Sequence, residues 1–171
     1  MSDKNKILFV VCGPTAVGKT DVAVKLALHY KTEIISADSR QCYKEMHIGT
    51  AAPDKDELKG VPYHLLANVS IHQDYNAGMF EQDALKLCDD IFQKNDIAFL
   101  AGGTGLYINA LCYGLDKLPV KDNELRKLLK AEYEQKGIVH LQKKIKELDE
   151  EFFLHGEINN PQRLLRAIEI S

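Results

Sequence analysis

Gly13-Pro14-Thr15-Ala16-Val17-Gly18-Lys19-Thr20 fits G-x-x-x-x-G-K-[ST] at every fixed position. The flanks are those such a loop requires. Ile7 to Cys12 is an unbroken apolar run, rich in β-branched and aromatic side chains, and reads as a buried parallel strand. Thr20 to Tyr30 then carries Val22, Ala23, Leu26 and Ala27 at helical spacing. A strand, a glycine turn and a helix together aim backbone N–H groups and a helix N-terminus at one anion. Lys19 adds a full positive charge, and Thr20 offers a hydroxyl suited to Mg²⁺. The whole loop from Gly13 to Thr20 is therefore expected to hold a diphosphate or triphosphate. The plain alternative is a glycine-rich turn that binds nothing.

The rest of the chain continues the alternation. Ile34 to Ala37 reads as a second strand and Ile97 to Ala101 as another buried one. Asn76 to Lys94 places Phe80, Ala84, Leu87, Cys88 and Ile91 on one helix face, and Leu106 to Tyr113 follows a Gly102-Gly103-Thr104-Gly105 turn. Between residues 40 and 75, Gly49, Pro53, Gly60 and Pro62 break the pattern into loops and short pieces. Strands alternating with helices predict an α/β, P-loop NTPase-like parallel sheet with helices on both faces. After Gly114, Asp122 to Lys136 and Val139 to Leu148 read as two charged amphipathic helices parted by Gly137, a small inserted helical hairpin. Asn160-Pro161 supplies a cap and a first helical residue. The expected organisation is a core over 1–115, an inserted subdomain over 116–158 and a return helix of the core over 159–171. The amphipathic pattern runs on to Ser171 with no closing strand, so the chain is expected to be truncated there.

Composition narrows the class of function. Of 171 residues, 45% are apolar and 27% charged, ordinary for a globular domain, and the net charge of −3 argues against a globally basic nucleic-acid binder. A local basic patch, such as Lys143-Lys144-Lys146, remains open. No apolar run approaches the roughly 20 residues of a membrane span, and no signal-peptide core precedes Gly13. Cys12, Cys42, Cys88 and Cys112 show no C-x-x-C spacing and read as reduced thiols of a cytoplasmic protein, with no membrane partner.

Two residues carry candidate chemistry. A nucleotide hydrolase usually places a carboxylate at the end of a later buried strand. Here the strand over 97–101 ends in Gly-Gly-Thr-Gly, and Asp38 is the acidic residue that ends a buried strand. Asp38 lies at the carboxyl edge of the sheet, where α/β ligands bind, and can accept a proton from a nucleophile. Its alternative is an N-cap, supplied by Asp38 or Ser39, for a short helix. Thr104 lies at the same edge in a glycine-flanked turn, with a plain turn hydroxyl as its alternative.

Six blocks together resemble the tRNA dimethylallyltransferase family. They are Gly13 to Thr20, Ile35 to Tyr43, Met46 to Ala51, Val61 to Leu65, Ala101 to Tyr107 and Pro161 to Glu169, in the family's order. The resemblance implies transfer of a dimethylallyl group from its diphosphate to the exocyclic N6 amine of an adenosine beside the tRNA anticodon, releasing diphosphate. It assigns the diphosphate to Gly13, Pro14, Thr15, Ala16, Val17, Gly18, Lys19 and Thr20, Mg²⁺ to Thr20, and catalysis to Asp38 and Thr104. It assigns tRNA contacts to Asp38, Ser39, Arg40, Gln41, Thr104, Arg126, Gln162, Arg163, Leu164, Leu165 and Arg166. Mg²⁺ is the implied cofactor, the anticodon stem-loop and dimethylallyl diphosphate are the implied partners, and a monomer is expected. Three other functions fit the loop: an adenylate isopentenyltransferase, a small-molecule P-loop kinase using ATP, and a fragment that binds diphosphate and transfers nothing.

Overall fold

Parallel strands must be joined by crossovers, and here the crossovers are helices. The computed structural model describes residues 5–46, 48–116 and 122–171. His47, in one of the resembling blocks, lies outside them, as do residues 117–121, which belong to the expected inserted subdomain. The elements are β1 (Ile7–Cys12), α1 (Lys19–Tyr30), β2 (Ile34–Ala37), α2 (Lys55–Leu58), β3 (Tyr63–His64), α3 (Ala77–Lys94), β4 (Ile97–Gly102) and α4 (Gly105–Tyr113). They continue with α5 (Asn123–Lys136), α6 (Ile138–Leu148), α7 (Glu150–His155) and α8 (Pro161–Ile170). The chain divides into two compact units, residues 1–115 and 116–171.

In the first unit the four strands form one all-parallel sheet in the order β1-β4-β2-β3. Period-two alternation sorts its side chains onto two faces. Ile34, Phe99 and Ala101 pack against Ala23, Val24 and Ala27 of α1. Ile35, Ala37, Ala98 and Leu100 pack against Phe80, Ala84, Cys88 and Ile91 of α3 and Tyr107 of α4. The Phe80 and Tyr107 rings stack with centroids 4.2 Å apart. The expected α/β class and its helices on both faces are what the structure has.

β1 departs from the expectation of a buried strand. Among the described residues it pairs only with β4, and Ile7, Phe9 and Val10 are 44%, 43% and 37% exposed. An apolar run marks a strand that belongs in a parallel sheet, but strand order across the sheet is not written in that run.

The second unit is more than a hairpin. α5, α6, α7 and α8 share one core, in which Leu129, Leu141, Ile145, Leu164 and Leu165 are at most 1% exposed. Each such side chain contributes about 1.5–3 kcal/mol on burial. Asp122, Asp149 and Asn160 cap α5, α7 and α8 through backbone N–H groups of the first turn. α7 was not foreseen, because the run over 150–155 is too short to show periodicity. α8, expected to return to the sheet, has its buried face in this helical core instead.

One glycine fixes how closely β2 and β4 approach at the site. A Cβ on Gly102 would lie 2.2 Å from the Ala37 carbonyl oxygen, a backbone atom that cannot swing away. Gly105, by contrast, has nothing within 4 Å of a built Cβ. Gly102→Ala is expected to cost about 3 kcal/mol or more in a urea denaturation, whereas Gly105→Ala at the start of α4 is neutral or stabilising. Equal midpoints for the two variants would refute this account of the close approach.

Candidate active site

Because β4 lies between β1 and β2, the three loops leaving their carboxyl ends are neighbours. These are residues 13–18, 38–41 and 103–104. Hydrogen bonds tie two of them together. Thr104 N donates to the Ala37 carbonyl at 3.1 Å. Ser39 N donates to Thr104 Oγ1 at 2.9 Å, and the two hydroxyls are 3.2 Å apart. The third loop turns sharply into α1 at Gly18, whose φ of 85° is in the left-handed region where a side chain is strained. The Lys19 ammonium reaches back across the loop and donates to the Pro14 carbonyl at 2.6 Å.

Two adjoining clefts result. One, of about 210 Å³, is walled by Thr15, Gly18, Lys19 and Thr20 on one side and by Asp38, Gln41, Glu57 and Tyr63 on the other. The second, of about 200 Å³, lies among Gly13, Pro14 and Thr15, Asp38 to Arg40, and Gly103 and Thr104. Thr15 and Asp38 line both. Asp38 also caps the chain that follows it, but the capped segment is a turn and not the short helix that was the alternative reading. Its Oδ1 accepts from Arg40 N at 2.9 Å and Gln41 N at 3.2 Å, while Oδ2 accepts no hydrogen bond among the described residues. The cap and the candidate base are therefore the same carboxylate using different oxygens.

Tyr63 and Glu57 were not singled out from sequence. Tyr63 was inside a resembling block, but nothing local marks it as a cleft residue. Burial pushes its phenol up to about 12, against a smaller opposing hydrogen bond from Thr20, so the hydroxyl is neutral near pH 7. Gln41, expected at RNA, spends its side-chain amide on the Thr50 and Ala51 carbonyls, each at 3.0 Å. Among the described residues no cluster of His, Cys, Asp and Glu is able to hold a metal ion by itself. Thr20 lines the first cleft together with Thr15 and Asp38, and such oxygen-bearing side chains are of the kind that suits Mg²⁺, which takes few protein ligands and completes its shell with phosphate and water. All four cysteines are free thiols.

The second unit carries the remaining expected RNA contacts. Leu164 and Leu165 depart from the expectation of RNA contact: at 0% and 1% exposure they are core residues, and their side chains cannot meet RNA. Gln162 and Arg163 are exposed on the same helix, with Arg163 paired to Glu157. Arg126 of α5 and Arg166 of α8 converge on Glu169, at 3.4 Å and 3.0 Å. Of the basic cluster, Lys144 is bound to Glu132 at 2.5 Å, and the Lys146 ammonium lies 5.4 Å from the Phe153 ring centre. Two of its three cations are thus already engaged. Among the described residues no helix is long and apolar enough to cross a membrane.

A family profile described as IPP transferase matches residues 41–171. A tRNA dimethylallyltransferase from Cytophaga hutchinsonii is 47% identical over 170 residues, 99% of this chain and 56% of that protein. A full-length tRNA isopentenylpyrophosphate transferase from Bacillus halodurans superposes with a TM-score of 0.64 at 36% identity, covering 98% of this chain and 55% of its own. A eukaryotic dimethylallyltransferase, solved in crystallographic snapshots of its action on tRNA, gives 0.78 at 26% identity, covering 97% of this chain and 41% of its own. The chain spans about half the length of the curated relatives it matches.

Proposed function

The chain belongs to the IPP transferase family, and from that premise we propose that it forms the catalytic half of a cytoplasmic, monomeric tRNA dimethylallyltransferase. The observation that carries this reading is the position of Asp38 on the shared wall of the two clefts. One cleft has the amides, the ammonium of Lys19 and the hydroxyl of Thr20 that suit a diphosphate. The other gives an adenine access to the same carboxylate.

The reaction then assigns itself to these residues. The adenosine N6 lone pair forms a bond to C1 of the dimethylallyl group as the C1–O bond breaks, and the bonding electrons leave with the diphosphate. Residues 13–20 and Lys19 balance the charge that develops on the leaving group. Mg²⁺, held at Thr20 and the diphosphate, would supply further charge neutralisation. Asp38 Oδ2 takes the N6 proton. The amine is weakly basic because its lone pair is delocalised into the ring, so a base held within reach matters. Thr104 fixes the 38–39 turn through Ser39 and stands beside the breaking bond. The adenine must leave its stack to enter, at a cost of a few kcal/mol. Arg126, Gln162, Arg163 and Arg166 are the proposed contacts to the anticodon stem-loop.

The test offers the protein dimethylallyl diphosphate together with an anticodon stem-loop, AMP or a small-molecule alcohol plus ATP. Prenylated stem-loop and free diphosphate are expected. Product on AMP alone would select an adenylate isopentenyltransferase. Phosphoryl transfer from ATP, with no affinity for the prenyl donor, would select a kinase. Diphosphate binding with no transfer to any acceptor would select a binding fragment.

A further inference from the structure

Glu169 has no part in the chemistry above, yet its surroundings are unusual for a helix residue near the C-terminus. Its side chain is 1% exposed. Oε2 lies 3.0 Å from Arg166 Nη1, one turn back on α8. Oε1 is buried and accepts no hydrogen bond, but it lies within ion-pair reach of Arg126 Nε, 3.4 Å away on α5. Burying a carboxylate is unfavourable unless charge compensates it, and one guanidinium suffices for that. Here two converge on it, each still about a quarter exposed (25% and 27%). Arginine side chains on open helix faces sample many rotamers, and holding them in one geometry before an anion arrives removes part of the ordering cost of binding.

We propose that Glu169 is a positioning residue: it presets Arg126 and Arg166 as a paired guanidinium clamp for backbone phosphates of the bound RNA. This rests on the reading that these two arginines meet tRNA. Glu169 itself touches no RNA. It acts by fixing the spacing of the two forks.

The sign of one substitution separates this from plain electrostatics. Glu169→Gln removes a negative charge next to two arginines. If charge alone mattered, anticodon stem-loop binding would tighten, because phosphate affinity rises with net positive charge. Positioning requires the reverse: affinity falls by about tenfold, measured by fluorescence anisotropy across a salt series on the intact protein. In an Arg126→Ala/Arg166→Ala background, Glu169→Gln is expected to change nothing further, and that double variant should weaken binding and lower the salt slope by about 2. Should Glu169→Gln fail to fold, Glu169→Asp keeps the charge and withdraws the oxygens by one methylene; the same weakening is expected of it. If the double arginine variant binds like the parent, the RNA-contact reading of this face is wrong. If that variant is weakened while Glu169→Gln, or Glu169→Asp in its place, binds as well as the parent or better, only the positioning role is overturned.

Discussion

Asp38→Asn slows single-turnover prenyl transfer by roughly 10²–10⁴-fold, the usual contribution of a placed general base, while leaving donor affinity and thermal stability near those of the parent. Asparagine is the informative replacement. Asp38 Oδ1 caps the turn by accepting from Arg40 N and Gln41 N, and an amide oxygen can still do so. What asparagine cannot do is take a proton at the second position. Asp38→Ala removes both functions, so it should match the asparagine variant in rate and fall below it in stability by about 0.5–2 kcal/mol, the range for a lost cap. Rapid-quench measurement under donor-saturating conditions isolates the chemical step. A parental rate in Asp38→Asn excludes this carboxylate as the base, whatever the alanine variant does.

The local parts of this site were legible because each is a short-range pattern. The loop over 13–20, the strand and helix that flank it, the acid at the end of β2 and the glycine turn after β4 all follow from residues adjacent in sequence. Their assembly was not legible. That Asp38 faces the phosphate loop depends on β4 lying between β1 and β2, and strand order is decided by which helices cover which face, not by any one strand's composition. The exposed edge position of β1 has the same origin. Ile7 to Cys12 is as apolar as a central strand, yet among the described residues it pairs with β4 alone, and that pairing is not written in the run itself. Tyr63 is part of a strand two residues long, below the length at which alternation carries information.

In the helical unit the resemblance named a segment, and the structure divides its side chains between core and surface. The resemblance marked 162–166 as a strip, but a helix turns 100° per residue, so five consecutive residues cannot share a face. Leu164 and Leu165 point into the core, and this burial holds the polar residues of the strip outward. Glu169 escaped notice for a related reason. A glutamate in a charged helix reads as solvated, and only the approach of Arg126 from α5 makes it a buried ion-pair centre.

Lys19→Ala weakens binding of dimethylallyl diphosphate and of inorganic diphosphate alike, by about 1.5–3 kcal/mol or roughly 10- to 100-fold in Kd, in calorimetric titrations with Mg²⁺ held constant. The two ligands share only the diphosphate, so equal losses locate the lysine's contact there and not at the prenyl chain. Stability should hardly move. The Nζ–Pro14 hydrogen bond lies on an exposed loop, where the net worth of such a bond is small. The variant should also flatten the salt dependence of donor binding, since it removes a full charge from the site. Arginine at this position is a sharper probe than alanine. It keeps the charge but replaces a compact ammonium by a planar fork, in a cleft of only about 210 Å³. Lys19→Arg is therefore expected to recover the salt dependence without recovering full affinity. Donor binding of parental strength in Lys19→Ala would mean that the diphosphate is held elsewhere, and the charge balance proposed for the leaving group would lose its cation.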